Sequence, residues 1–378
     1  MSPRARRLLR SVLVAAQAAT VVITWPLWQA RDEPPNLPAL PGLPQLDLGL
    51  LVLGTLVLVL VRPRWGLPAH ALVLVAAMAL DQLRIQPELL SLALLLWATW
   101  PPGEGRPAPA AGLLLARCHL VTLYLWAGAH KLLSADYVDS ASRFWTRSLP
   151  GLDEGLARTL ALGVALFEVA LALLVAWPAS RRWAGWVAGL MHLGIFLSLS
   201  PLGRGRNEAV WPWNLALAVA APVLISTWTA GWRAELRASR PAATLLALLL
   251  LLSPALYYAG RLDAYFSWCL YSVNVPVAVM VRAEQQRRLD AAGETRLRLP
   301  DLNAATRDLH VPFPPAHRLF LQYFARVGRP GDALHVYDPR AWAARAGLRE
   351  RVVPWDSGLL EGALDHPAHG GEAGRRQP

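Results

Sequence analysis

Lysine is almost missing from this sequence: of its 37 Lys and Arg residues, only Lys131 is a lysine. Cysteine is nearly as scarce, and Cys118 and Cys269 alone cannot build a disulfide framework. Cys118 lies inside an apolar run and Cys269 beyond the last one, so the two are not expected to meet. Charged residues make up only 17% of the 378 residues, against about 25% in a soluble domain, whose surface has to be solvated. The chain has no CxxC pair, Gly-rich phosphate loop or GxSxG elbow, which disfavours thiol-redox, nucleotide and serine-hydrolase chemistry.

Hydrophobic residues, by contrast, reach 54% and tryptophan 17 positions, with the apolar mass crowded into residues 1–260 as repeated runs. The sequence therefore predicts an all-α polytopic membrane helical bundle over 1–260, a small α+β extracytoplasmic cap over 261–363 and a disordered tail over 364–378. The net charge of +11 is not a nucleic-acid footprint, because the arginines sit in short clusters beside apolar runs rather than on one basic block. The partner these clusters imply is the lipid bilayer.

MSPRARRLLR followed by SVLVAAQAATVVITWPLW has the outline of a signal peptide but no clean small-residue cleavage site, so it reads as an uncleaved first span. The further runs are Leu46–Val61, Pro68–Leu83, Leu89–Trp100, Gly112–His130, Leu160–Trp177, Trp183–Ser200, Val210–Trp228 and Thr244–Tyr258. Several fall short of the roughly 20 residues that cross a bilayer, which leaves about nine spans, the third and fourth being the shortest of signal. With the N-terminus inside, cytoplasmic loops hold Arg62 and Arg64, Arg106, Arg181 and Arg182, and Arg233, Arg237 and Arg240. The opposite loops hold Arg31, Arg84, Arg143, Arg147, Arg204 and Arg206, with Lys131. This alternation predicts a multi-pass protein of the plasma (bacterial inner) membrane with its C-terminal region outside. In that region VPVAVMVRA, LHVPFP, TRLRLP and ALHVYDPRAW have strand character, and HRLFLQYFARVG has helical amphipathic spacing.

Lys131, in YLWAGAHKLLSADYV at the outer end of the fifth span, carries the main chemical signal. Arginine stays charged in proteins, whereas a partly buried lysine can lose its proton and act as a base. The competing reading is a lysine snorkelling to the interface. Helical spacing lines up Tyr124, Ala127, Gly128 and Lys131, with Arg117 near the inner end of the stripe. Tyr124 could bond a substrate in that groove or simply pack in the bundle. Glu168 and His192 lie mid-run in the sixth and seventh spans. A lone carboxylate at that depth needs a partner, and His192 is the natural one, as a proton relay or a structural interhelical bond; no HxxxH or ExxH spacing joins them into a metal site. Asp81 and Arg84 are expected to pair. Arg204 and Arg206, in PLGRGRNEAVWPWN with Trp211, Trp213 and Asn214, suit an anion or carboxylate. The aromatic segment ALYYAGRLDAYFSWCLYSVN, beside Asp263 and Asn274, suits an interface belt or the lining for a quinone-like head group.

The segment AGAHKLLSADYVDSASRFW resembles the surroundings of the catalytic lysine in the vitamin K-dependent γ-glutamyl carboxylase family, whose bacterial members share the horizontally transferred transmembrane (HTTM) domain. The likeness continues through LFEVALALLVAWPASRRWAGWVAGLMHLGIFLSLS, WPWN and LDAYFSWCLYSVN, covering about Arg117–Asn274. DoxX-like membrane proteins, often linked to quinone redox, are similar in general helical plan. The carboxylase resemblance implies that Lys131 acts as a neutral amine on a reduced, vitamin K-like hydroquinone. Oxygen then adds, and the base so formed takes a γ-proton from glutamate before carbon dioxide is captured. Tyr124, Glu168, His192, Arg204, Arg206, Trp211, Asn214 and Asp263 are the accompanying substrate and cofactor candidates, the cofactor being an apolar quinone-like small molecule. The alternative is a non-enzymatic membrane scaffold, assembly factor or lipid- or anion-binding carrier.

Overall fold

A computed structural model describes residues 1–102, 110–149, 151–292 and 302–355. Arg106, the TRLRLP strand and the tail over 364–378 fall outside the described residues, as does the last part of the expected cap.

Every apolar run becomes a helix. They are α1 (Pro3–Ile23), α2 (Gly49–Val61), α3 (Pro63–Leu80), α4 (Pro87–Leu96), α5 (Ala110–Leu132), then, after the short amphipathic α6 (Tyr137–Ser148), α7 (Glu154–Ala176), α8 (Arg181–Leu199) and α9 (Val210–Ser226), and, after α10 (Trp232–Ala238), α11 (Pro241–Leu252). The starts follow from local chemistry. Ser2 accepts the Ala5 N–H ahead of Pro3, and Asp153 accepts the Leu156 N–H ahead of Glu154, each satisfying a donor that the helix leaves open. Pro63, Pro87 and Pro241 occupy first-turn positions, where a missing N–H does no harm.

The expected nine spans are not confirmed. Among the described residues, four helices are long and apolar enough to cross a membrane: Pro63–Leu80, Ala110–Leu132, Glu154–Ala176 and, with the 3₁₀ turns that extend α11, Pro241–Ala259. The physical reason is length for α2, α4 and α9, whereas α1 (21 residues) and α8 (19 residues) are long enough but not apolar enough. The 23 residues of α5 rise roughly 35 Å, whereas the 13 of α2 reach about 20 Å, short of a hydrocarbon core of about 30 Å. Leu156, Leu160, Leu166 and Leu173 of α7 and Leu245, Leu249 and Leu252 of α11 are exposed. Apolar faces this continuous call for lipid rather than water.

The C-terminal part supplies a three-stranded antiparallel sheet in the order β1 (Val277–Val281), β2 (Ala333–Tyr337), β3 (Glu350–Pro354), with Val279 opposite His335 and His335 opposite Val352. Around it run α12 (Ala283–Ala292), α13 (His317–Val327) and α14 (Ala341–Arg345). LHVPFP forms no strand: Pro312 and Pro314 cannot donate to a ladder, and a 3₁₀ turn over Arg307–Leu309 leads into it. One continuous core joins Trp28, Leu83 and Leu89 from the bundle to Phe313, Phe320, Phe324 and Leu334. Polar contacts stitch the same seam, with Gln82 bonded to both Gln322 and Arg318.

Asp338 anchors the sheet to that seam. It is fully buried, pairs with Arg340 and accepts from His317 at 2.7 Å, while Arg340 donates to the Tyr257 carbonyl and lies over its ring. Burial alone would raise the Asp338 carboxyl, but the hydrogen bonds from Arg340 and His317 outweigh it and hold it at about 2. A carboxylate depressed in the folded state stabilises above its unfolded value, near 3.9, and loses that contribution as pH falls towards 2. The contribution at neutral pH is about 2–3 kcal/mol. Acid unfolding followed by tryptophan fluorescence is therefore expected to show stability falling between about pH 4 and pH 2, and Asp338→Asn should flatten that window.

Candidate functional site

The single lysine is an ion-pair partner. Its neighbour one turn back, Gly128, has no room for a side chain: a Cβ there would lie 2.7 Å from the Ala165 carbonyl and 2.8 Å from Val169 Cγ2. The small residue lets α5 and α7 touch at backbone distance, and this brings Lys131 Nζ to 2.7 Å from Glu168 Oε2. The ammonium also donates to the Ala127 carbonyl at 3.2 Å. Two of its three donors are thus spent inside the helix pair, with both side chains largely buried.

His192 is therefore not the partner of Glu168, as the sequence suggested. It belongs to a second cluster. Asn214 Nδ2 donates to the Val210 carbonyl, so its Oδ1 faces His192 Nδ1 at 2.9 Å as an acceptor. That assigns the ring proton to Nδ1 and leaves Nε2 to accept from the Tyr124 hydroxyl at 3.3 Å. Tyr124, His192 and Asn214 tie α5, α8 and α9 together, and all three are buried.

The remaining candidates lie elsewhere. Arg204 lies over the Phe144 ring at 3.8 Å, Arg206 is exposed, and Trp211 Nε1 donates to the Arg206 carbonyl at 2.9 Å. The two guanidinium groups do not converge on an anion site. Asp263 pairs with Arg318 of α13. Arg117, at the inner end of the lysine stripe, pairs with Glu235 of α10 and lies 5.2 Å over Trp228, while Arg181 clamps the same ring at 3.7 Å. The nine candidates thus divide into the Lys131–Glu168 pair, the Tyr124–His192–Asn214 cluster and four residues outside both, Arg204, Arg206, Trp211 and Asp263.

Sequence reasoning passed over His130. Its Nε2 faces the Ser267 carbonyl at 2.7 Å and so carries the proton, which makes Nδ1 the acceptor for the Tyr258 hydroxyl at 2.7 Å. Asn274 Nδ2 donates to the same hydroxyl, so the aromatic segment beyond α11 is hydrogen-bonded to the end of α5. His119 was missed too: Ser91 lies 2.7 Å from its Nε2 and accepts from Trp213 Nε1. The signal for both was a histidine inside or at the edge of an apolar run.

A cavity of about 230 Å³ opens where the bundle meets the C-terminal part. Trp213, Tyr265, Phe313 and Phe320 line it together with Gln86, Glu88 and Asn207. None of the nine sequence candidates is among its lining residues.

A family model described as methylamine utilisation protein MauE matches residues 109–209. No curated protein and no solved structure matches the chain. The family match corrects the reading: over residues 109–209, which hold the lysine, acidic and Met-His segments that carried the resemblance to the γ-carboxylase/HTTM family and the weaker DoxX-like one, the chain is similar to MauE instead. The shared features that misled are generic to buried membrane helices, namely a lysine at a helix end, a mid-helix carboxylate and a Met-His step. With four span-length apolar helices among the described residues and a match to this membrane protein family, the chain is an integral membrane protein.

Proposed function

We propose that this protein is a non-enzymatic membrane scaffold or assembly factor acting in the use of methylamine or a related amine, as the name of the matched family suggests for its region 109–209. The observation that carries the non-enzymatic part is the Lys131–Glu168 pair. A general base must reach the proton it removes, and here the amine is engaged by the neighbouring helix. Its role is then to lock α5 against α7. The arginine alternation supports the orientation: a plasma-membrane protein with a cytoplasmic N-terminus and, with all nine apolar helices taken as crossings, the sheet-bearing C-terminal part outside.

The test is a charge-swap series in a deletion strain scored for growth on methylamine, with membrane abundance measured in parallel. Lys131→Arg preserves the pair and is expected to grow as wild type. Lys131→Met strands Glu168 and should lower abundance severalfold, since breaking a buried pair costs about 3–5 kcal/mol. The double variant Lys131→Met/Glu168→Leu removes both charges and should restore abundance and growth together. A double variant present at normal levels that fails to support growth would show that the lysine does chemistry. A deletion strain that grows normally on methylamine would overturn the amine assignment.

A further inference from the structure

The cavity at the seam has a chemical bias that the Lys131 region does not share. Its walls are mainly apolar and aromatic, yet three of its lining residues carry side-chain oxygens that are buried and have no donor among the described residues: Gln86 Oε1, Glu88 Oε1 and Asn207 Oδ1. The Gln86 amide cannot be turned round to relieve this, because its Nε2 already donates to the Leu83 and Pro312 carbonyls at 2.9 and 3.1 Å. Gln86 is fully buried and Glu88 is 1% exposed. An unpartnered buried acceptor is costly, about 1–3 kcal/mol each. The two fixed acceptors, Gln86 and Glu88, ask for a ligand rich in donors and poor in acceptors, and the Asn207 amide, bonded to the Tyr271 hydroxyl, can present its oxygen to the same ligand.

Charge sharpens the choice. Glu88 sits in the first turn of α4, where the helix dipole favours a negative group, and no ion pair to it appears among the described residues. The facing aromatic rings of Trp213, Tyr265, Phe313 and Phe320 suit a cation with an apolar body. The volume is below the 300–1,000 Å³ usual for drug-sized ligands, so the guest is small. The backbone around the cavity is also held in an unusual form. Asn207, Tyr271 and Val273 all line it with φ between 51° and 58°, and for a β-branched residue such as Val273 that conformation is strained and tends to persist at functional sites.

We infer that this cavity binds a small primary ammonium ion with an apolar body, the carboxylate of Glu88 taking the charge while Gln86 and Asn207 accept its remaining N–H donors. A primary ammonium offers three donors and no acceptor, which matches the wall. A quinone offers only acceptors and does not. A quinol, with two O–H groups and no charge, would satisfy the oxygens but not the carboxylate. This inference uses none of the residues behind the scaffold reading but deepens the amine assignment, since its guest is a protonated amine; binding and the growth test can fail separately.

Isothermal titration of the full-length protein in nanodiscs tests it, with benzylammonium and n-butylammonium chloride as probes and benzyl alcohol and hydroquinone as neutral comparisons. Saturable binding of at least one ammonium probe is expected, tenfold or more tighter than either neutral compound. Glu88→Gln keeps the shape and removes the charge, and should weaken the ammonium at least tenfold. Ala278→Leu, which adds bulk to the cavity wall without touching the acceptors, should weaken it comparably and covers the case in which Glu88→Gln fails to fold. Absence of saturable binding, equal binding of hydroquinone or benzyl alcohol, or ammonium binding unaffected by both variants would overturn the inference.

Discussion

Replacing Asp81 with asparagine is expected to destabilise the folded protein by about 3–5 kcal/mol, the usual effect of removing one member of a buried charge cluster. Asp81 closes α3 in an extended conformation, with its carboxylate fully buried. It pairs with Arg31, accepts the Leu37 and Leu83 N–H groups at 3.0 and 3.1 Å, and lies 3.8 Å from Arg84 Nε. Arg84 is itself fully buried, reaching the Leu27 carbonyl at 2.9 Å and lying 5.7 Å from the Trp28 ring centroid. An amide in place of the carboxylate leaves two guanidinium groups without their nearest counter-charge. Thermal unfolding in detergent measures the effect, and a melting temperature close to wild type would refute it. Asp139→Asn is the matched comparison. Its pair with Arg158 is about half exposed on both sides and should matter by less than about 1 kcal/mol.

The second large effect is expected at Gly128. A leucine there would drive its Cβ into the Ala165 carbonyl and the Val169 backbone N–H, 2.7 and 2.9 Å away. Backbone cannot yield as a side-chain tip can, so α7 must move off α5. Overpacking of this kind costs about 1–3 kcal/mol by itself. It also separates Lys131 from Glu168, adding the penalty of a broken buried pair. Gly128→Leu should therefore be at least as damaging as Lys131→Met, and adding Lys131→Met to it should cost little more. Membrane abundance of the three variants decides this. Strict additivity would mean that the close approach and the ion pair are independent. Gly163, by contrast, faces open space on α7, and Gly163→Leu should be tolerated.

Particular residues show how far the sequence could be read. Asp81 and Arg84 pair as their spacing suggested, because partners three apart need only a local turn. β1 and β2 arise where alternating and β-branched residues suggested strands, and the amphipathic His317–Val327 is a helix. β3 at Glu350–Pro354 was missed: its burial follows from pairing with β2, a long-range fact that its short, arginine-containing sequence does not advertise. Glu168 was correctly judged to need a partner at its depth, but the partner is Lys131 on α5 and not His192 on α8. Arg204 was assigned an anion and rests instead on Phe144.

Composition and periodicity by themselves determined that the chain is helical, rich in apolar segments and bound for a membrane, because burial of apolar surface and satisfaction of backbone hydrogen bonds act locally along each run. They could not count crossings, since helix length depends on where each run starts and stops. Only the tertiary structure decided which polar side chains meet. A helical period fixes which residues share a face, but which helix lies opposite is set by close approaches such as that at Gly128. The same holds for the seam cavity. Gln86 and Glu88 lie far from Asn207 in the chain, all three are unremarkable one by one, and the cavity they line is closed only because the C-terminal part docks on the bundle's end.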